Sequence, residues 1–465
     1  MKNTTLHRNI VNSTLKLLVV ATLSLLAGCD SFVEVDQPNS QLTAGAVFDD
    51  RTTANAAVAD LYAQMRESGM LTGKVSGLSI LLGSYSDELV VYNGSSPAFE
   101  FYNNTVLEGN SYVAAAWNAA YNQIYAANMV YSKLENSTSL AENDKKQFQG
   151  EALFVRALNE FYLTSLFGDV PYITGTDYEQ NSAVTRTETT EVNAHVIADL
   201  ENAISLLSEE YITVDKVRAS KAVAQALLAR VYLYNGMYEQ AGAMASTVLS
   251  NPQFVWEENL NNVFLNGSTS TIWQFASAYD GHNTDEAAVF IFPSGPPSTV
   301  ALSENFVAQF TTGDLRRNSW IQEVTDGINT WYHSYKYKER NDTGASLEYS
   351  IVLRLAEQYL IRAEARARLG DLDGAKNDLN KIRFRAGLTD TEASNAAELL
   401  DAVMQERKFE LFTEYGHRFF DLKRTGQLNT ALNYKPGWND TDALWPLPQS
   451  ELLSNPSLGN QNPGY

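Results

Sequence analysis

Apolar positions recur at helical spacing over most of this chain. Residues 51–66 are alanine-rich with Leu61 and Met65 four apart, and over residues 114–134 Trp117, Tyr121, Ile124, Tyr125 and Val130 form one broad apolar stripe. Stripes of this width predict helices that bury one face against a neighbour. The next predicted helix covers residues 144–167. It stops at Gly168-Asp169-Val170-Pro171, because proline has no N–H for a helical hydrogen bond and restricts the residue before it. The same periodicity predicts helices over 192–207, 221–234, 238–249, 351–369, 372–385 and 396–412. Two stretches break it. Residues 69–111 are punctuated by Gly, Ser and Asn and carry Tyr85, Tyr92, Phe99, Phe101 and Tyr102, which predicts loops loaded with aromatics. Residues 251–349 hold Pro293, Pro296 and Pro297 with short β-branched or aromatic runs at 271–275 and 331–337, predicting an irregular lobe with short strands. From Trp445 onward the Pro, Asn and Ser content predicts extended chain on the surface.

Two of the helical stretches repeat one another. Ala229, Gly236 and Ala241 have the spacing of Ala363, Gly370 and Ala375, with small residues placed where two helices can pack closely around a tight turn. That is the signature of a tetratricopeptide-like hairpin.

The amino-terminal end changes the picture of where the protein works. Lys2, Arg8 and Lys16 precede an apolar run over residues 17–26, followed by Ala27-Gly28-Cys29. This reads as a secretory signal, and its apolar core is too short for a permanent membrane span. The order Leu26-Ala27-Gly28-Cys29 resembles a bacterial lipobox, which implies cleavage after residue 28 and lipidation of Cys29, the one cysteine of 465 residues. Stable attachment requires two acyl chains or an equivalent second signal. The expected organisation is a lipoprotein signal over 1–28, a tether and domain start over 29–50, a helical region over 51–250, and a carboxyl-terminal region over 251–465 with variable loops and the last hairpins. With one cysteine an internal disulfide is excluded, so stability rests on the core, for which 44% hydrophobic content is ample. Loss of the leader takes the net charge from −21 to −24, a surface that repels nucleic acid.

Several segments then carry a family resemblance. Residues 151–157 (Glu-Ala-Leu-Phe-Val-Arg-Ala) lead to Leu166-Phe167-Gly168-Asp169-Val170-Pro171. Arg218-Ala219-Ser220-Lys221-Ala222 precedes a helix ending in Ala229-Arg230-Val231-Tyr232-Leu233. Tyr359-Leu360-Ile361-Arg362-Ala363-Glu364-Ala365 is followed by Leu379-Asn380-Lys381-Ile382-Arg383, by Glu406-Arg407 with Glu410-Leu411, and by Gly416-His417-Arg418-Phe419-Phe420-Asp421-Leu422-Lys423-Arg424-Thr425-Gly426. The close is Leu444-Trp445-Pro446-Leu447-Pro448, then Asn455-Pro456 and Asn462-Pro463-Gly464-Tyr465. In this order the segments resemble the SusD/RagB family of outer-membrane nutrient-binding lipoproteins. The resemblance implies a mostly α-helical fold with four tetratricopeptide-like hairpins plus an irregular lobe of short strands and loops. It also implies a SusC-like TonB-dependent transporter as partner, a glycan ligand, and a lipid-anchored, cell-surface-exposed place at the outer membrane, with no cofactor. A peptide-capturing role, as in the RagB branch, and a protein-only scaffold are the alternatives it leaves open.

Catalytic readings fare poorly against the residues. Glu406, Arg407, Glu410 and Glu414 share a helical face, but two glycosidase carboxyls must stand across a sugar site, so a structural network with His417, Arg418 and Asp421 is the stronger reading. The five histidines lack the paired helical spacing of a zinc site, and Asp371-Leu372-Asp373-Gly374 lacks the closing acid of a calcium loop, leaving a turn between helices. Sugar rings need flat aromatic platforms flanked by polar side chains, and loops are where such sites form. The candidate ligand residues are therefore Arg66, Tyr85, Asp87, Tyr92 and Asn93 in the first region, Tyr279 and His282 (with Asp280 and Asn283) in the second, and Trp331 with Tyr332 in the third.

Overall fold

A computed structural model describes residues 46–435 and 437–465. Residues 47–465 form one compact unit. The signal segment, the lipobox and Cys29 lie outside the described residues.

Helices α1 (Arg51–Ser68), α2 (Leu78–Tyr85), α3 (Ala98–Asn103), α4 (Ser111–Asn136) and α5 (Glu142–Phe167) make the first half with α6 (Thr189–Leu206), α7 (Lys221–Tyr234) and α8 (Tyr238–Leu249). The last helices are α9 (Leu355–Leu369), α10 (Leu372–Arg385), α11 (Ala396–Glu410) and α12 (His417–Arg424). Their ends follow local chemistry. The Asp50 carboxylate accepts from the N–H groups of Thr52 and Thr53 at 2.9 and 3.2 Å, and Asn110 does the same for Tyr112 and Val113, satisfying donors that a helix start leaves open. Helix α5 stops at Gly168, whose φ of 77° lies in the left-handed region that favours glycine. Asp371 caps α10, accepting from Gly374 N–H at 3.0 Å, so the turn reading of that acidic stretch is the one the structure takes.

The repeated alanines do what their spacing demands. Ala229, Ala241, Ala363 and Ala375 are fully buried, α7 packs on α8, α9 on α10, and α8 lies against α9. A second apolar cluster, with Leu360, Leu379, Ile382, Leu399 and Val403, sits under the last three long helices.

Among the described residues there are six short strands: β1 (Leu89–Val91), β2 (Thr271–Phe275), β3 (Val300–Leu302), β4 (Ile321–Thr325), β5 (Thr330–Ser334) and β6 (Ser350–Arg354). They form an antiparallel sheet in the order β1-β3-β5-β4 and an antiparallel β2-β6 pair. The pair is wholly buried. Trp273 of β2 meets Phe154 of α5 with ring centroids 5.1 Å apart and Tyr62 of α1 at 6.1 Å, which welds the strand pair to the helical body.

Three expectations change. Residues 350–354 are strand β6 and not the first turn of the following helix; Ile351 and Leu353 pair with Gln274 and Trp273 of β2, and β-branched and apolar residues buried on both faces suit a covered strand. The stretch 69–111, read as loop, contains α2, β1 and α3. Helix α2 is buried on every side, so it shows no amphipathic period to read. The tail is not purely extended, since Gln449–Ser454 is a short helix and Pro456–Leu458 a 3-10 turn.

Candidate ligand-binding groove

Strands β1, β3 and β5 bring together residues far apart in sequence. Their edge, with the end of α3 and the turn at Tyr434-Lys435, encloses a groove of about 530 Å³. Its walls include Tyr92, Tyr102, Trp331 and Tyr434, and its polar edges Asn103, Glu304, Asn305 and Thr330. Tyr92 is 40% and Tyr434 58% exposed, high values for rings this large, and both present a face to solvent. The Trp331 indole lies beside the Tyr92 hydroxyl and packs on the backbone of Gly295, so closely that a Cβ there would sit 1.9 Å from its ring. Glycine is required at that position by contact and not by φ. A neighbouring cavity of about 490 Å³ shares Glu304 and Thr330 with the groove, and is walled by Phe310 and by Tyr332, over which the Arg317 guanidinium lies at 5.0 Å.

The groove floor is built from charge. Asp87 accepts from Arg418 at 2.8 and 2.9 Å and from Lys408 at 2.9 Å. Burial opposes its ionisation, and the two cations outweigh burial, holding the carboxyl well below the usual range. Glu88, the next residue, faces inward; burial, with the Asp87 charge, pushes it up to about 8, so it is protonated at neutral pH. Lys435 donates to the carbonyl oxygens of Ser84, Tyr85 and Ser86 at 2.6, 3.2 and 2.9 Å, and burial lowers it to about 7. A lysine spent on three carbonyls fixes the turn that carries Tyr434.

The residues expected from the sequence fall into three places. Tyr92 and Trp331 line the groove together, and Asp87 lies in its floor, tied up by cations and not free to meet a ligand. Asn93 is exposed beside the groove and spends its carbonyl oxygen on Ser95. Arg66 and His282 border a separate, small cavity of about 110 Å³; Arg66 donates to the carbonyls of Ala276 and Ser277, and His282 meets Asp342 at 2.9 Å, as does the exposed Tyr279 hydroxyl. Tyr85 needs correction. Its ring is 0% exposed, packed among Phe101, Phe419 and Trp438, so it belongs to the core. Two further groove rings, Tyr102 and Tyr434, are not among the candidates the sequence offers. Tyr434 does stand in a turn-like Asn-Tyr-Lys-Pro-Gly run, the one signal that could have found it.

The Glu406, Glu410 and Glu414 set is buried in an ion network away from the groove. Glu410 accepts from Arg354 at 2.5 Å, from Arg316 at 3.3 Å and from Arg385, while Glu414 holds Lys336 at 2.5 Å. Carboxylates with no solvent path and every oxygen facing cations brace a fold; they do not shuttle protons to a substrate.

The molecule is a helical body carrying an aromatic-walled groove on a lobe of short strands. Comparison with known proteins fixes the class more closely. Residues 31–233 match a family model described as "Starch-binding associating with outer membrane", and residues 270–465 match one described as "SusD family". The chain is 28% identical to SusD-like protein P2 of Formosa agariphila over 515 residues, covering 97% of this chain and 99% of the relative. A solved SusD superfamily protein from Bacteroides vulgatus superposes with a TM-score of 0.78 at 22% identity, covering 90% of this chain and 99% of that one. A solved structure titled "Laminarin binding SusD-like protein" superposes with a TM-score of 0.77 at 26% identity, covering 89% and 99%. The chain belongs to the SusD/RagB family. Proteins of this family bind carbohydrate without transforming it and are associated with the outer membrane.

Proposed function

We propose that this chain captures an oligosaccharide or polysaccharide in the groove of Tyr92, Trp331 and Tyr434 and delivers it to a SusC-like TonB-dependent outer-membrane transporter. The observation that carries the reading is the set of exposed ring faces bordered by Asn103, Asn305, Glu304 and Thr330. Flat rings suit the C–H faces of sugars, and amide, carboxylate and hydroxyl edges suit sugar hydroxyls. The laminarin-binding relative supports a glycan over a peptide. Lipidated Cys29 holds the protein at the outer membrane on the cell surface, with residues 29–50 as the tether and start of the domain.

The test is calorimetry and affinity electrophoresis of the soluble chain starting after Cys29, against laminarin, α-glucans, fructans, mannans and casein-derived peptides. One glycan class binds, and Tyr92→Ala or Trp331→Ala abolishes the interaction. Retention of peptides with silence across every glycan moves the protein to peptide capture, and silence across both leaves a protein-only scaffold. Cys29→Ser shifts the full chain from the membrane fraction to the soluble one; continued membrane attachment refutes the anchor.

A further inference from the structure

A cavity of about 640 Å³ lies between α5, α7, α12 and the carboxyl-terminal segment, and shares no lining residue with the groove. Its floor is aromatic: Tyr234 stands 5.4 Å from Phe161 and 6.0 Å from Phe420, centroid to centroid. The Tyr234 hydroxyl is buried without a hydrogen-bond partner. Two cations line the walls. Lys423 donates once, to the Ser165 carbonyl at 2.6 Å; Arg186 donates to the Asn462 side chain at 3.2 Å and the Asn460 carbonyl at 2.9 Å. Neither meets a carboxylate among the described residues. The third cation of the lining, Arg424, is by contrast paired with Glu364 at 2.5 Å and Asp421 at 2.8 Å. The acid of the lining, Asp169, spends Oδ1 on the Thr189 N–H and hydroxyl, both at 2.9 Å.

This pairing pattern is unexpected for the composition. A chain with 55 acidic and 34 basic residues has carboxylates to spare, yet two cations on one cavity have none. Lys423 is half-buried, and an ammonium shielded from water without a counter-charge is costly; desolvation lowers it to about 7. The volume falls in the range of small-molecule sites, roughly 300–1,000 Å³.

We propose that this cavity binds a small organic carboxylate with an apolar body, its head on Lys423 Nζ and Arg186, its body on Phe161, Tyr234 and Phe420. The site is independent of the glycan reading, since no residue of the groove contributes.

Calorimetry of the soluble chain with benzoate, benzamide and hexanoate tests it. Benzoate and hexanoate bind at millimolar concentration or below, and benzamide, of nearly the same shape without the charge, binds at least tenfold more weakly. Lys423→Met and Arg186→Gln each weaken benzoate at least tenfold. Because Lys423 also ties α12 to Ser165, the ε-carbon resonance of Lys423 in the unmutated protein gives a second reading, and it shifts on benzoate addition. Equal binding of benzamide and benzoate, or a Lys423 resonance unmoved at saturation, or no saturation by either acid overturns the proposal.

Discussion

Replacing Gly295 by alanine tests the groove without removing any atom that could touch a ligand. The added methyl would lie 1.9 Å from Cζ3 and 2.1 Å from Cε3 of Trp331, whereas ordinary contact begins at 3.4 Å. The indole has to retreat by about 1.5 Å for the contact to become ordinary. Truncating an aromatic anchor typically costs about 2 kcal/mol or more of binding energy. A displaced anchor keeps part of its contact, so Gly295→Ala is expected to lose roughly 1–2 kcal/mol, about five- to thirtyfold in Kd. Trp331→Ala sets the upper limit. The assay is calorimetric titration with the glycan that the unmutated chain binds, alongside thermal melts to confirm an intact fold. Affinity within twofold of the unmutated protein, with the fold unchanged, would refute the assignment of Trp331 as a platform.

Other outcomes follow from the interior. Glu410→Gln leaves Arg385 buried with no carboxylate partner among the described residues, and breaking such a pair costs about 3–5 kcal/mol; urea unfolding reads this, and adding Arg385→Met recovers part of it. Glu88 and Glu286 are raised by burial to about 8 and about 7. Their folded pKa values lie above the unfolded ones, so the stability they contribute is full below the ordinary carboxylate range and is lost as pH rises through 7 to 8. The stability of the unmutated chain relative to Glu88→Gln therefore falls between pH 5 and pH 8, and a pH-independent difference contradicts the burial argument. Tyr85→Phe removes a weak hydroxyl contact to Tyr465 at 3.4 Å and leaves glycan affinity unchanged; a lost affinity would return Tyr85 to the site.

Helices were legible wherever one face is buried and the other wet. Lys221–Tyr234, Tyr238–Leu249 and Leu372–Arg385 begin and end where the periodicity and the small turn residues place them. Legibility failed where burial is complete. Helix α2 and strand β6 are buried on all sides, and a segment without a wet face has no period to distinguish helix from strand. The site was half legible for a related reason. An aromatic in a loop signals a platform only when its ring stays exposed, and sequence does not tell Tyr92 at 40% exposure from Tyr85 at zero. Tyr434 escaped because its role depends on Lys435 reaching the carbonyls of Ser84, Tyr85 and Ser86, a contact across about 350 positions.

That long reach bears on how such a protein could be re-engineered. The groove draws on five separate stretches of chain, around residues 87–92, 102–103, 302–305, 330–331 and 434–435. Two of them are bolted to other parts of the body, Asp87 to Arg418 and Lys408, and Lys435 to the end of α2. Transplanting a new sugar preference by exchanging one loop would leave four walls of the old shape and cut an anchor. On the proposed reading, specificity is a mosaic property, and a graft succeeds only when the anchoring partners travel with the rings they hold.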